Sequence, residues 1–198
     1  MRAPLKAPER LINAFVESKR AWITEKKALA LQNLNVPAQK YIDGEKFWLL
    51  GEKIPLRLVD GRTPLTLQNE FLLSKQAQPE AAAVFEKWYK IRALIILSER
   101  VIIFANLHGF HYEKIRITSA RTRWGSCSSR GTLSFTWRLV MAPLDVVDYV
   151  VIHELAHLKI KNHSSVFWNE VSRLMPTYKP RQAWLKKNGH YLTLDGGS

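Results

Sequence analysis

The chain has 198 residues, of which 46% are hydrophobic, and it contains seven tryptophans, so it can bury a core and is not a disordered chain. Its 30 lysines and arginines outnumber 17 aspartates and glutamates, which gives a formal net charge of +13 and a general attraction for polyanions. A single cysteine excludes an internal disulfide and favours a reducing compartment.

Neither a secretory leader nor a membrane span is predicted. Residues 1–15 lack an apolar segment followed by a small-residue cleavage site. The longest apolar stretch, residues 93–107, is interrupted by Ser98, Glu99 and Arg100 and is too short to cross a bilayer. We therefore expect a cytoplasmic protein with no membrane partner.

The first 78 residues predict a helix followed by a small β-subdomain. Apolar residues recur at helical spacing from Pro8 to about Asn33. The periodicity then shortens, and residues 47–50, 54–59 and 65–67 are typical of short strands separated by glycine turns. This β-subdomain is interpreted either as a substrate platform or as a lid on the core.

Residues 79–198 predict a second domain, which contains the candidate functional residues. A long apolar helix is expected over residues 79–107, followed by half-buried strands over 114–118 and 132–139, where polar and apolar residues alternate. The sequence does not decide which of these two strands lies at the edge of the sheet.

The loop at residues 121–127 joins the two predicted strands and allows several interpretations. Arg123 is a candidate contact for a substrate carbonyl or phosphate in an active-site cleft. Trp124 and Gly125 favour a structural role, in which a tight turn places the indole in the core. Cys127 is interpreted as a small buried residue, with an inhibitory metal ligand as the alternative, since a thiolate binds metals well.

A His-Glu-x-x-His motif follows at residues 153–157. On a helix, His153 and His157 lie one turn apart and about 40° around the axis, so both imidazoles can bind one metal ion. Glu154 points to the side, where its carboxylate can act as general base on a water that zinc activates. Apolar neighbours predict that this helix is buried, so its polar side chains need a partner such as a cation.

The third metal ligand is predicted to be His163. A helix that continued past His157 would turn His163 away from the metal, whereas a turn at Asn162, in the left-handed conformation, would return it. The alternatives are that His163 is a helix cap or loop residue and that Glu170 supplies the third ligand. Three protein ligands would leave one position open for water, as in catalytic zinc sites.

Downstream of the motif, one residue is a candidate for catalysis. Tyr178 lies at a distance at which some zinc peptidases place a tyrosine that hydrogen-bonds the oxyanion. His190 is interpreted as a surface histidine, and His108 and His111 have no partner at ligand spacing.

Several motifs together resemble one family. These motifs are Arg123-Trp124-Gly125-Ser126-Cys127, Trp137-Arg138-Leu139, the stretch from Asp148 to Leu158, Asn162-His163-Ser164 and Phe167-Trp168. In them the sequence resembles the YgjP-like metallopeptidases, which are related to the M48, WLM and SprT-like zinc peptidases. The resemblance implies zinc bound by His153, His157 and His163, with Glu154 as the catalytic residue. It also implies an α+β, zincin-like core, in which a small sheet packs on the active-site helix, and a protein or peptide substrate.

The positive charge supports an alternative function. Residues 114–138 contain six basic side chains and no acidic one, close to the predicted site. The SprT-like and WLM relatives digest proteins attached to DNA, so the resemblance suggests a protein that acts on, or binds, DNA-bound proteins through a basic surface. The simpler interpretation is a protein that is basic throughout.

Overall fold

In this computed structural model, residues 8–21, 24 and 37–195 are described. The chain divides into a unit of residues 39–194 and a smaller unit made of the terminal residues. In the smaller unit, helix α1 spans Glu9–Ser18 and is strongly amphipathic. The predicted N-terminal helix is confirmed over this range, and most of its remainder, to Asn33, lies outside the described residues.

A four-stranded sheet begins the larger unit, in the order β1-β2-β4-β3. β1 pairs with β2 and β3 with β4 in antiparallel fashion, whereas β2 and β4 are parallel. The three predicted strands are confirmed, but β4 was not predicted, because its apolar residues do not alternate and are buried on both faces. The strands are β1 (Lys46–Leu49), β2 (Glu52–Val59), β3 (Leu65–Leu67) and β4 (Phe71–Ser74).

The turn between β1 and β2 connects this sheet to the segment that leads into the active-site helix. Leu50 and Gly51 both have positive φ angles, of 48° and 86°, as a tight hairpin turn requires. Their N–H groups donate to the carbonyls of Val140 at 2.8 Å and Met141 at 3.2 Å. A side chain at Gly51 would contact Pro143 at 2.9 Å, so glycine permits this close approach.

The long helix α2 spans Ala81–His108, follows the 3₁₀ helix Lys75–Glu80 and ends at Gly109, whose φ is 66°. It was predicted from its apolar residues, and it buries a row of them at four-residue spacing. Arg100 on α2 forms a two-bond ion pair with Asp148, at 2.6 and 2.8 Å, on the helix that carries the candidate site. This pair helps to fix the two helices against each other.

A three-stranded sheet follows, formed by β5 (Lys114–Thr118), β6 (Gly125–Cys127) and β7 (Thr132–Thr136) in the order β5-β7-β6. The prediction of a plain loop over residues 121–127 is wrong in its last three residues, which form β6. The edge that lies beside the site is β6, and β7 is central. β7 pairs with β6 in antiparallel fashion and with β5 in parallel fashion.

The strand predicted over residues 132–139 ends earlier than expected. It stops at Thr136, and Trp137–Met141 form a 3₁₀ helix in which every residue is buried. A strand with one solvent-exposed face cannot bury five consecutive side chains, so the chain forms a helical turn here. This 3₁₀ helix leads directly into the active-site helix.

Three helices complete the larger unit: α3 (Leu144–Lys159), α4 (Ser165–Leu174) and α5 (Tyr178–Asn188). The expected α+β class is confirmed, and the three-stranded sheet packs through β6 on α3 as the prediction required. The division at residues 78 and 79 stays a prediction. Within the part of the chain that is described, no helix combines the length and apolar character needed to cross a membrane.

Candidate metal centre

Three histidine side chains converge at the C-terminal half of α3. His153 and His157 lie on one face of this helix, one turn apart, and His163 follows in the loop before α4. The Nε2 atom of His163 lies 3.0 Å from Nε2 of His153 and 3.1 Å from Nε2 of His157. The predicted three histidines therefore meet at one point, where they could hold a metal ion.

The turn that returns His163 differs from the one expected. α3 ends at Lys159, and Ile160 is extended, with φ −125° and ψ 109°, so the predicted left-handed stop at Asn162 is wrong. Asn162 acts through its side chain, whose Oδ1 accepts a hydrogen bond from the backbone N–H of Ser164 at 3.2 Å. The β-branched Ile160 favours extended backbone, and it ends the helix two residues earlier than expected.

One backbone carbonyl orients His157. Nδ1 of His157 lies 2.9 Å from the carbonyl oxygen of Ile160. Since a carbonyl only accepts, the proton of the imidazole lies on Nδ1 and the lone pair of Nε2 faces the other two histidines. Such an outer hydrogen bond is what fixes the tautomer of a metal-binding histidine. The sequence did not identify this group, because it depends on where the helix ends.

An aromatic ring supports all three imidazoles. The Phe167 ring stacks on His157, with centroids 4.3 Å apart, and contacts His153 at 4.8 Å and His163 at 4.9 Å edge-on. Trp168 lies behind, 5.7 Å from His153 and 5.9 Å from His163. α4 thus packs an apolar wall against the histidine cluster, which holds the rings in place and limits water.

The histidines fit a zinc ion in both distance and protonation. Nitrogen ligands at 2.0–2.1 Å in tetrahedral geometry lie about 3.3 Å from one another, close to the two separations seen here. Burial, together with His157 and His163, lowers the pKa of His153 to about 3. Burial also lowers the pKa of His157. His153 and His157 are therefore neutral at pH 7, the form that binds metals.

Glu154 lies beside the cluster and is buried against the edge strand. Its side chain is 5% exposed and packs on Gly125 of β6, where an added Cβ would lie 2.5 Å from Oε1. Burial raises the pKa of Glu154 to about 8, an effect that Arg123 partly offsets. Among the described residues Oε2 has no hydrogen-bond partner, so this carboxyl is available to a ligand or water.

The competing ligand, Glu170, is placed elsewhere. Its carboxylate forms a two-bond ion pair with Arg173, at 2.8 and 2.9 Å, and a longer one with Lys159 at 3.6 Å. It does not join the histidine cluster. The geometry therefore favours His163 over Glu170 as the third metal-binding side chain.

Residues 123–127 lie next to the site, since Gly125 contacts Glu154, and the role of Arg123 as a substrate contact stays a prediction. Arg123 is exposed, and with the half-buried Trp124 it lines a small cleft of ≈ 110 Å³ beside Gly125. Trp124 also packs on the core, so both interpretations of this indole hold in part. Cys127 is half-buried and free, with its thiol near the carbonyl of Ser128. It is not a member of the histidine cluster.

Tyr178 lies in an aromatic stack next to the site. It is 8% exposed, and its ring lies 5.5 Å from Trp168 and 6.3 Å from Tyr149. Tyr149 in turn contacts His153 edge-on at 6.0 Å. His190, expected at the surface, is half-buried, because its ring packs on Tyr191 with centroids 3.8 Å apart.

Convergent histidines beside a buried glutamate, with an edge strand above them, define a metallopeptidase type of site. A family model described as YgjP-like, metallopeptidase domain, matches residues 1–188. The chain therefore belongs to the YgjP-like metallopeptidase family and is a peptide-bond hydrolase.

Solved structures that match this chain include two metallopeptidase zymogens. Abylysin of Pyrococcus abyssi is 26% identical, with a TM-score of 0.42, and the match covers 46% of this chain and 93% of that one. Jannalysin of Methanocaldococcus jannaschii is also 26% identical, with a TM-score of 0.37, and the match covers 49% of this chain and 94% of that one. No curated protein matches this chain.

Proposed function

We propose that this protein is a zinc-dependent peptidase with a His-Glu-x-x-His-x5-His site. His153, His157 and His163 are the zinc ligands and Glu154 is the general base. The observation that carries the proposal is the convergence of three Nε2 atoms, with separations of 3.0 and 3.1 Å, beside a buried glutamate oxygen that has no partner among the described residues.

Zinc suits this donor set better than other divalent ions do. The cluster offers three imidazole nitrogens, a set that zinc binds in catalytic sites with one position left open. When bound, zinc would supply Lewis acidity, which lowers the pKa of a water towards 7 and polarises a carbonyl.

The proton transfers are assigned to Glu154. Its carboxyl lies between α3 and β6, one residue after His153, and in the ionised form, which a cation on the neighbouring histidines would favour, its Oε2 can accept a proton from the attacking water. The same group then gives the proton to the leaving amine nitrogen, which completes hydrolysis of the peptide bond. Packing against Gly125 fixes the carboxyl for both steps.

The substrate is proposed to bind along β6. Among the described strands it pairs with β7 alone, so its other edge can pair with an extended peptide by β-augmentation. Because Gly125 of β6 contacts Glu154, a peptide on this edge lies close to the general base. Tyr178 is proposed as a donor to the oxyanion, and Arg123 as a contact for the substrate.

A second candidate function rests on charge around the site. Lys114, Arg130 and Lys161 are exposed, and no ion pair within the described ranges neutralises them. Such side chains would attract a nucleic acid, so a peptidase that acts on DNA-bound proteins is the alternative. Affinity for single-stranded DNA that is measurable at low salt and falls steeply with salt would support it. The lone Cys127 is consistent with action in the cytoplasm.

Metal dependence tests the main proposal. Cleavage of an unstructured protein would be followed by mass spectrometry before and after chelation, and again after zinc, magnesium or calcium is added back. We expect activity to be lost on chelation and restored by zinc alone. Undiminished cleavage by the chelated, metal-free protein would contradict the assignment, and loss of a bound metal would be checked by elemental analysis of the same samples.

A further inference from the structure

A small cleft opens on the outer face of the three-stranded sheet. Its volume is ≈ 110 Å³, and it is lined by polar and aromatic side chains from β5, β6, β7 and the loop before β6. We call it the Arg123 cleft. The residues used below are Thr118, Arg123, Trp124, Ser126, Ser134 and Thr136.

Two of the hydroxyl groups hold the walls together. Thr136 Oγ1 donates to the carbonyl of Ala120 at 2.8 Å, and Thr118 Oγ1 donates to the carbonyl of Phe135 at 3.2 Å. The first bond ties the segment before β6 to β7, and the second joins β5 to β7. The cleft is thus a built feature of the fold, with its shape fixed by side-chain hydrogen bonds.

Two other hydroxyl groups are free to bind a ligand. Ser126 and Ser134 lie opposite each other in the β6–β7 register, and both line the cleft. Neither hydroxyl has a hydrogen-bond partner within the described part of the chain. They are half-buried, so a ligand that enters the cleft meets two available O–H donors.

The charge at the mouth of the cleft is positive. Arg123 is exposed and forms no ion pair with a described residue, although it is near enough to Glu154 to lower the pKa of that carboxyl. A guanidinium presents a planar fork of donors that matches the two oxygens of a carboxylate. With the two serines, it makes a set of donors with no competing acceptor side chain other than the threonine hydroxyls.

The size of the cleft limits what can enter. The cleft is small, at ≈ 110 Å³, so it suits a carboxylate with one or two methylene groups. The indole of Trp124 supplies an apolar wall for those methylenes. A large aromatic or a nucleotide would not fit inside.

The cleft adjoins the proposed catalytic carboxyl through one residue. Gly125 lines the cleft, and Glu154 packs on the same glycine from the other face of β6. Side chains of a peptide paired to β6 alternate between the two faces of the sheet. A peptide whose scissile bond lies at Glu154 therefore directs a neighbouring side chain to the outer face, where the Arg123 cleft opens.

We propose that the Arg123 cleft is a carboxylate-binding subsite, in which Arg123, Ser126 and Ser134 bind a carboxylate of the peptide substrate. The inference rests on the proposed function, because it assumes that the peptide pairs with β6. The carboxylate comes from a Glu or Asp side chain or from the C-terminus of the substrate. The enzyme would accordingly prefer acidic peptides.

Matched peptides test the subsite in the zinc-loaded full-length protein. One set would carry Glu or Gln at each position near the cleaved bond, and a second set would end in a free acid or an amide. We expect a preference of about tenfold or more in kcat/KM for the peptide with the carboxylate, the effect of one charge-assisted hydrogen bond. The set that shows the preference identifies the source of the carboxylate.

Variants separate this subsite from other causes. Arg123→Gln and the double change Ser126→Ala with Ser134→Ala should reduce the preference towards one, whereas Arg62→Gln, at an exposed arginine after β2 and outside the cleft, should leave it intact. Equal kcat/KM for Glu and Gln peptides, and for acid and amide peptides, would overturn the subsite while leaving the peptidase assignment in place.

A binding measurement keeps the subsite testable without turnover. Fluorescence polarisation of labelled Glu and Gln peptides, with the Glu154→Gln protein, would report affinity directly. We expect the Glu or free-acid peptide to bind about tenfold more tightly, and the gain to vanish in a protein that also carries Arg123→Gln. If the native enzyme cleaved nothing but the affinity difference were present, the result would contradict the peptidase assignment and would support the subsite. Equal affinities would count against the subsite.

Discussion

Gly125 and Glu154 lie so close together that the edge strand and the active-site helix share one surface there. A Cβ at residue 125 would lie 2.5 Å from Oε1 and 2.8 Å from Cδ of Glu154. Real Cβ atoms do not approach other atoms so closely, so any larger side chain at residue 125 must displace the glutamate. The absence of a side chain at Gly125 therefore sets the position of the general base.

Gly125→Ala should reduce activity without loss of metal. The new methyl group would move the Glu154 carboxyl by about 1 Å, and a misplacement of that size can lower kcat about 10²-fold. The histidines are not touched, so zinc content should stay at the native value. Gly61→Ala is the matched control, because a Cβ there meets nothing within 4 Å. Full activity in Gly125→Ala would show that the contact does not position the base.

His163→Ala should weaken zinc binding far more than Glu170→Ala. Loss of one of three ligands should lower the affinity by more than the 10–100-fold that outer hydrogen-bond partners contribute. Glu170 pairs with Arg173 and Lys159, so its loss should cost little metal affinity. Competition with a chromophoric chelator measures both affinities. A larger loss of zinc affinity in Glu170→Ala than in His163→Ala would identify Glu170 as the third ligand.

Tyr178→Phe tests the proposed oxyanion donor. Removal of one such donor lowers kcat by about 10²–10³-fold in other enzymes, and the aromatic stack with Trp168 and Tyr149 should survive the change. Zinc content and thermal stability should therefore match the native protein. Tyr191→Phe, at an exposed tyrosine, is the control. Unchanged turnover in Tyr178→Phe would remove this residue from the mechanism.

Acid should destabilise the metal-free protein through His153. The unfolded imidazole takes up a proton near pH 6.5, whereas the folded one stays neutral to about pH 3, so the unfolded state binds more protons in this window. The free energy of unfolding therefore falls as pH drops below 6.5, by about 2 kcal/mol at pH 5 from this residue. Urea titrations of native protein and His153→Gln would measure it. If the free energy of unfolding depended on pH equally in both proteins, His153 would not be the cause.

Much of the fold could be predicted from periodicity. Alternation identified β5 and β7, and the long apolar run identified α2. The sequence could not predict β4, because its four residues lack alternation. It also could not predict the 3₁₀ helix at Trp137–Met141, because all five side chains are buried and the alternation typical of a strand is lost. Short elements such as β6 depend on pairing with β7, which is a tertiary property.

The candidate site was predicted better than its surroundings. The spacing of His153 and His157 on a helix is sufficient to place their rings together, and the predicted turn after the helix returns His163 to them, although the helix ends at Lys159 and not at Asn162. The carbonyl of Ile160 and the ring of Phe167 were missed as supports, because backbone direction after a helix end and packing from a later helix are not encoded by spacing. The glycine of Trp124-Gly125-Ser126 was a signal of close approach that could have indicated the contact with Glu154.

The most direct test of the central claim compares native protein and Glu154→Gln on two readouts, bound zinc per chain and cleavage of an unstructured protein. Glutamine keeps the size of the side chain and removes its basicity. The account predicts about one zinc in both proteins and a loss of about 10²–10⁴-fold or more in cleavage by the variant. Cleavage at the native rate by a zinc-loaded Glu154→Gln protein would contradict it.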